Sequence, residues 1–378
     1  MRKTKDSEIT VVPINRIILV GNGFDLAHGM RTSYTDFIIW YFNKIWLEAR
    51  NSQTINPQVP YEIIYKNKLL NFSFDISLSG KSSPLDNPYG FTLDDIKQHV
   101  NFISNNSQRG QINLSFNSDI FKSIVGDLLE RNWVDIENIY YDFLRKRLKE
   151  HNLHLDLKPS HLQNSLKEIN SQFDILKSEL ENYLTTISPT SKNHQTDDYL
   201  YEPPIPSNLE NSDQLELGNV LLLNFNYTPT TDMYKKPDTD IIHIHGQLND
   251  PNNPIIFGYG DERDETYDIL EKANIPEVFT HIKSFDYFKT NNYSRLLAFL
   301  ESPYDVYVMG HSCGLSDRTL LSTIFENPNC RFIKLFYYKN EENYRNTTYE
   351  LSRHFKDKAE MRKKVLDFTR CEAMPQNV

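Results

Sequence analysis

Short apolar runs without alternation recur along this chain, and each closes on glycine, asparagine or histidine. The first is Ile17-Ile18-Leu19-Val20, followed by Gly21-Asn22-Gly23-Phe24-Asp25. Similar runs at 220–223, 241–244, 255–257, 306–309 and 332–336 precede, in the first four cases, Asn224-Phe225-Asn226-Tyr227, His245-Gly246, Gly258-Tyr259-Gly260 and Gly310-His311-Ser312. Strands that are apolar on both faces belong to sheets covered on both sides, so the pattern predicts an α/β fold. Its core is a mostly parallel, Rossmann-like sheet flanked by helices. In such sheets ligands sit beyond the carboxyl ends of the strands, where these polar punctuations converge.

Between the runs the period changes. Leu26 onward reads as a helix start, and Tyr34, Phe37, Ile38, Tyr41, Phe42, Ile45 and Trp46 recur at helical spacing. Residues 51–116 are rich in Asn, Ser and Pro and read as a surface insertion with short elements. Phe121, Ile124, Val125 and Leu128, then Trp133, Ile136, Tyr140 and Phe143, mark helical stripes. Leu162, Leu166, Ile169, Phe173, Leu176, Leu180 and Tyr183 form a heptad seam, with Ser160 and Gln163 as a capping box at its start. That seam suits a helical hairpin, or pairing of two copies into a homo-oligomer. Residues 188–218 are polar and Pro-rich and read as a loop. The expected organisation is a discontinuous nucleotide-binding domain (14–50 and 219–340), a mainly helical insertion (51–218) and a helical tail (341–378). The charges at 356–364 are expected on a solvated face.

Composition narrows the function. A formal charge of −10 over 378 residues argues against general nucleic-acid binding, which needs a basic surface. The three cysteines, Cys313, Cys330 and Cys371, are too scattered for a disulfide framework or a zinc site. No run approaches the ~20 apolar residues that span a bilayer, and the first ten residues carry no apolar signal core. The expectation is a soluble, cytoplasmic protein without membrane contact and without a metal.

His245 ends an apolar strand beside a glycine, where a neutral imidazole can accept a proton. His243 shares its strand face, but no third ligand accompanies the pair. Asn224 and Asn226 also lie two apart; either amide can hold water or a ribose hydroxyl, or close the turn. Gly21 and Gly23 let backbone amides approach an anion, although Gly29 falls outside the dinucleotide spacing. Gly310-His311-Ser312-Cys313-Gly314 fits a nucleophile elbow. A hydrolase using Ser312 would need an acid and then a histidine downstream; the only later histidine is His354, Asp317 stands too close to the serine and Asp357 follows His354, so Ser312 reads as a ligand contact. Asp135 and Glu137 sit on a helix and could reach a crevice or water.

Taken together, the glycine block at 18–29, Asn224-Phe225-Asn226-Tyr227-Thr228, His243-Ile244-His245-Gly246, Phe257-Gly258-Tyr259-Gly260 and Gly310-His311-Ser312 resemble the bacteriophage abortive-infection AbiH family. The same blocks are remotely similar to sirtuins. The glycines match the loop over the cofactor phosphates, Asn226 the Asn-Ile-Asp block, His245-Gly246 the catalytic His-Gly and Gly310-His311-Ser312 the Gly-Thr-Ser ribose contact. The resemblance implies an anti-phage protein that hydrolyses NAD at the nicotinamide–ribose bond, with Asn226 orienting water or ribose and His245 as general base. It implies cofactor contacts from Gly21, Asn22, Gly23, Phe24, Asp25, Asn224, Tyr227, Gly246, Gly310, His311 and Ser312. Thr228 replaces the sirtuin aspartate and the zinc cysteines are absent, which favours NAD hydrolysis over deacylation. A sensor or scaffold that binds a nucleotide without turnover is the alternative.

Overall fold

The computed structural model describes residues 11–52, 54–75, 92–102, 112–131, 134–153, 159–188, 191–207, 215–264 and 267–377. Trp133 lies outside them. The strands are β1 (Val12–Val20), β2 (Ile55–Asn56), β3 (Val59–Lys66), β4 (Leu70–Asp75), β5 (Val100–Phe102), β6 (Ile112–Phe116), β7 (Leu215–Asn224), β8 (Thr239–His243), β9 (Tyr304–Met309), β10 (Cys330–Tyr337) and β11 (Glu372–Ala373). They form a parallel six-stranded sheet in the order β11-β10-β9-β1-β7-β8 and a five-stranded sheet in the order β2-β3-β4-β6-β5. The chain divides into two compact units: residues 1–31, 187–267 and 281–378, and residues 32–186 and 268–280.

In the first unit, the apolar runs are strands buried on both faces. Successive side chains point to opposite sides. Ile17, Leu19, Leu221, Leu223, Val306, Val308, Ile333 and Leu335 pack with Leu296, Leu320, Leu321, Ile324 and Phe325. Ile18, Val20, Val220, Leu222, Tyr307, Met309 and Phe336 pack with Phe24, Ala27, Leu200 and Tyr234. Each fully buried aliphatic side chain contributes roughly 1.5–3 kcal/mol, which is why these strands carry no polar alternation. The C-terminal residues belong to this unit, since β11 pairs with β10. Lys364 turns inward, not to solvent: its Nζ donates to the carbonyls of Phe325 at 3.0 Å and Asn327 at 2.7 Å.

Two local expectations change. The helix after β1 runs Asn22–Ala27, so Gly21 is its N-cap and Leu26 lies near its end; Gly29 follows in the left-handed region at φ 76°. Residues 255–257 join neither sheet. Gly246, at φ 84°, turns the chain back, and the Ile256 amide then donates to the His245 carbonyl at 2.7 Å. Ile255, Ile256 and Phe257 are buried by this return, so their apolar character mimics a strand.

The second unit holds the helices Tyr34–Ser52, Asp119–Arg131, Ile136–Leu153 and Pro159–Leu184 beside the five-stranded sheet. That sheet is antiparallel except for the β5–β6 pair. Beside its helices the insertion thus carries a sheet: β4 buries Leu70, Phe72 and Phe74, and Trp46 lies 4.6 Å from Phe74 between ring centroids. The heptad stripe is buried within this chain, with Phe173 stacked on Tyr140 at 4.2 Å. The long helix begins at Pro159, so Ser160 sits inside its first turn and does not cap it; Gln163 instead donates to Glu277 at 2.8 Å.

At Gly310, φ is 74° and an added Cβ would lie 2.1 Å from the Phe24 amide nitrogen, whereas one on Gly126 would meet nothing within 4 Å. Gly310→Ala is expected to cost about 3 kcal/mol or more, and Gly126→Ala, in a helix interior, to gain up to about 1 kcal/mol. Urea unfolding followed by circular dichroism measures both.

Candidate functional site

β1 lies at the centre of the parallel sheet. The chain leaves it toward β7 and β8, then returns to β9 on its other side and moves outward to β10. The reversal lies between β1 and β9, and a crevice forms outside the carboxyl ends at such a point. Here two loops meet backbone to backbone. The Gly21 amide donates to the Met309 carbonyl at 3.3 Å and the Gly23 amide to that of Gly310 at 2.8 Å. A Cβ on Gly21 would sit 2.5 Å from the His311 Cα. The Phe24 amide donates to Gly21 at 2.8 Å. The amides of Gly21, Gly23 and Phe24 are thus committed to the protein, where the sequence pattern suggested that they face an anion.

After β7, the two asparagines do different work. Asn224 is fully buried: Nδ2 donates to the Thr228 carbonyl at 3.0 Å and to His243 Nδ1 at 3.1 Å, while Oδ1 accepts from the Asn226 amide at 2.9 Å. It closes the turn. Asn226 reaches across to β1, its Nδ2 donating to the Gly21 carbonyl at 3.0 Å. Tyr227 holds the returning segment through its hydroxyl, which donates to Ile256 at 3.0 Å.

Asp25 lies beside this turn with 1% of its surface exposed, and Thr228 donates to its Oδ2 at 2.5 Å. Its Oδ1 is buried without a hydrogen-bond partner. Burial pushes the Asp25 carboxyl up to about 6, against the opposing hydrogen bonds from Thr228, Thr230 and Asn226.

The densest constellation surrounds Asp317, in the loop after β9. His245 Nε2 lies 3.1 Å from its Oδ1 and 3.2 Å from the Tyr287 hydroxyl. Lys283, 1% exposed, donates to the same Oδ1 at 2.9 Å. His311 Nε2 lies 3.6 Å from Oδ2, while its Nδ1 accepts from the Cys313 amide at 2.9 Å. The Phe225 ring stands edge-on to both histidines, with centroids at 5.1 and 4.2 Å. Burial and then the Lys283 charge push His245 down to about 4, so the ring is neutral at physiological pH. Asp317 is held well below the usual carboxylate range by Lys283 and His245, which outweigh its own burial.

Asp317, Lys283 and Tyr287 were not picked out by pattern. Asp317 stands five residues after Ser312, a spacing that pointed away from a hydrolase triad but not toward His245. Lys283 carried no sequence signal. Ser312 is exposed and lines a cavity of about 400 Å³ with Gly23, Leu26, Gly310, Tyr338 and Asn343. The left-handed backbone in this loop falls at Gly310 and Cys313, not at Ser312. His354 Nε2 is committed to the Cys313 carbonyl at 2.8 Å. Neither neighbouring histidine is placed to activate Ser312. Asp135 caps its helix, accepting from the Asn138 amide at 3.0 Å. Among the described residues, no three His, Cys, Asp or Glu side chains are grouped to hold a metal ion, and no helix is long and apolar enough to cross a membrane.

Residues 17–339 match the family model for bacteriophage abortive infection AbiH, a span that holds the carboxyl-terminal end of β1, the strand-end loops and every residue of the Asp317 constellation. The chain belongs to the AbiH family. Its role is accordingly in abortive infection, an anti-phage response. No curated protein and no solved structure matches this AbiH chain.

Asp25 gives this AbiH protein a pH-dependent stability. A carboxyl near 6 when folded and 3.8 when unfolded keeps its proton in the native state while the unfolded chain releases it. Its contribution is therefore most favourable at low pH and declines as pH rises from about 4 to 6, by roughly 3 kcal/mol. Asp25→Asn should stabilise the protein relative to the parent by more at pH 7.5 than at pH 4.5; melting temperatures at the two pH values measure the difference.

Proposed function

We propose that this AbiH protein hydrolyses NAD at the nicotinamide–ribose bond, in a sirtuin-like manner, and that NAD consumption is how it aborts infection. The observation that carries the reading is the placement of Asn226 and His245 at the ends of neighbouring parallel strands, β7 and β8, with Asn226 bonded to the Gly21 loop of β1. Nicotinamide leaves with the electron pair of its C1′–N bond, and positive charge grows on the ribose. Water supplies the new C1′–O bond. Asn226 orients that water or the ribose hydroxyls, and His245, neutral at pH 7, takes the released proton. The cavity beside Ser312, at about 400 Å³, is large enough for the other nucleoside. NAD is then a substrate, no metal takes part, and the site of action is the cytoplasm.

One observation favours the second reading, a nucleotide-binding sensor without turnover: the Gly21, Gly23 and Phe24 amides are already bonded within the protein. Product formation separates the two. Incubated with NAD, the parent protein should release nicotinamide, and His245→Ala and Asn226→Ala should each lower the rate by about 10²-fold or more. Unchanged release by folded variants would overturn the catalytic assignment. NAD binding without release in the parent would establish the sensor.

A further inference from the structure

We infer that Asp317, paired with Lys283, is a positioning residue that fixes the tautomer of His245 and makes its Nδ1 the atom that accepts the proton. The inference deepens the NAD-hydrolysis reading, and its kinetic arm rests on that reading.

The groups that face His245 come from three segments. Lys283 and Tyr287 stand on one, His311 and Asp317 on the loop after β9, and Phe225 on the turn after β7. His245 Nε2 lies 3.1 Å from a carboxylate oxygen that also binds the Lys283 ammonium. An unprotonated ring nitrogen at that distance would set two lone pairs against each other in a dry site, so Nε2 carries the hydrogen and donates to Asp317. The neutral ring then has one acceptor, Nδ1. His311 cannot take over the role. Its Nδ1 already accepts from the Cys313 amide at 2.9 Å, and its protonated Nε2 faces the other oxygen of Asp317 at 3.6 Å.

Lys283 completes the device. Alone and 1% exposed, its ammonium would be an uncompensated buried charge beside the ring; paired at 2.9 Å it neutralises Asp317. When His245 takes a proton, Asp317 also steadies the imidazolium. A single carboxylate therefore sets the ring's orientation, its tautomer and its distance from His311.

The test uses the full-length protein labelled with ¹⁵N at histidine, whose ring nitrogens report the tautomer directly. The parent should show His245 protonated at Nε2 between pH 6 and 8. In Lys283→Met/Asp317→Asn, with the ammonium gone from Oδ1, the amide can turn its NH₂ toward the ring, and a population protonated at Nδ1 should appear in a folded protein. Lys283→Met/Asp317→Ala leaves the Tyr287 hydroxyl as the partner of Nε2 and should show the same change. With NAD, both variants should lose about 10²- to 10⁴-fold in kcat, with KM within about threefold of the parent. His245 protonated at Nδ1 in the parent would overturn the inference, as would an unchanged tautomer in the folded variants. If the tautomer shifts as expected and the parent releases no nicotinamide, the positioning role stands and the NAD reading fails.

Discussion

The contact between the central strands β1 and β9 constrains everything around the crevice. Their carboxyl ends meet backbone to backbone, with Gly23 bonded to Gly310 and no room for a Cβ on Gly21 or Gly310. Glycine is required here because the two loops occupy the space a side chain would fill. The close approach starts the short helix Asn22–Ala27, whose Phe24 and Ala27 cover one sheet face. It also launches the loop that carries His311 and Asp317 toward His245.

Around that frame the unit buries several ionisable groups and handles each differently. Asp317 is compensated by the Lys283 ammonium and faced by the rings of His245 and His311. Asp25 accepts from the Thr228 hydroxyl on one oxygen and has no partner on the other, and burial pushes its carboxyl up to about 6. Both arrangements cost stability compared with apolar packing, since desolvation of a charge is repaid only in part by its partners. Charges held at such a cost cluster where proton transfer or ligand orientation needs them.

The parallel sheet was legible because burial on both faces leaves uninterrupted apolar runs, and five of the six runs are strands. Residues 255–257 were misread because a buried return loop and a buried strand share the same composition. The second sheet was not read from the sequence: Leu70, Phe72 and Phe74 alternate with Asn71 and Ser73, but the Asn- and Ser-rich surroundings hid them. Gly21, Asn226, His245 and His311 were found at strand ends, where pattern points. Asp317 and Lys283 were not, because long-range folding alone brings residues 245, 283 and 317 together. The division of labour between Asn224 and Asn226 was equally hidden, since both stand at the same strand end with the same chemistry.

Hydrolysis of NAD by this protein requires that the carboxyl ends of the parallel sheet receive it. Amide hydrogen exchange of the His245→Ala protein, with and without NAD, tests this without turnover. Slower exchange is expected in residues 20–29, 224–228, 244–247 and 309–317, with residues 112–131 and 136–153 unchanged. Protection absent from those loops, or confined to the second unit, would contradict this reading.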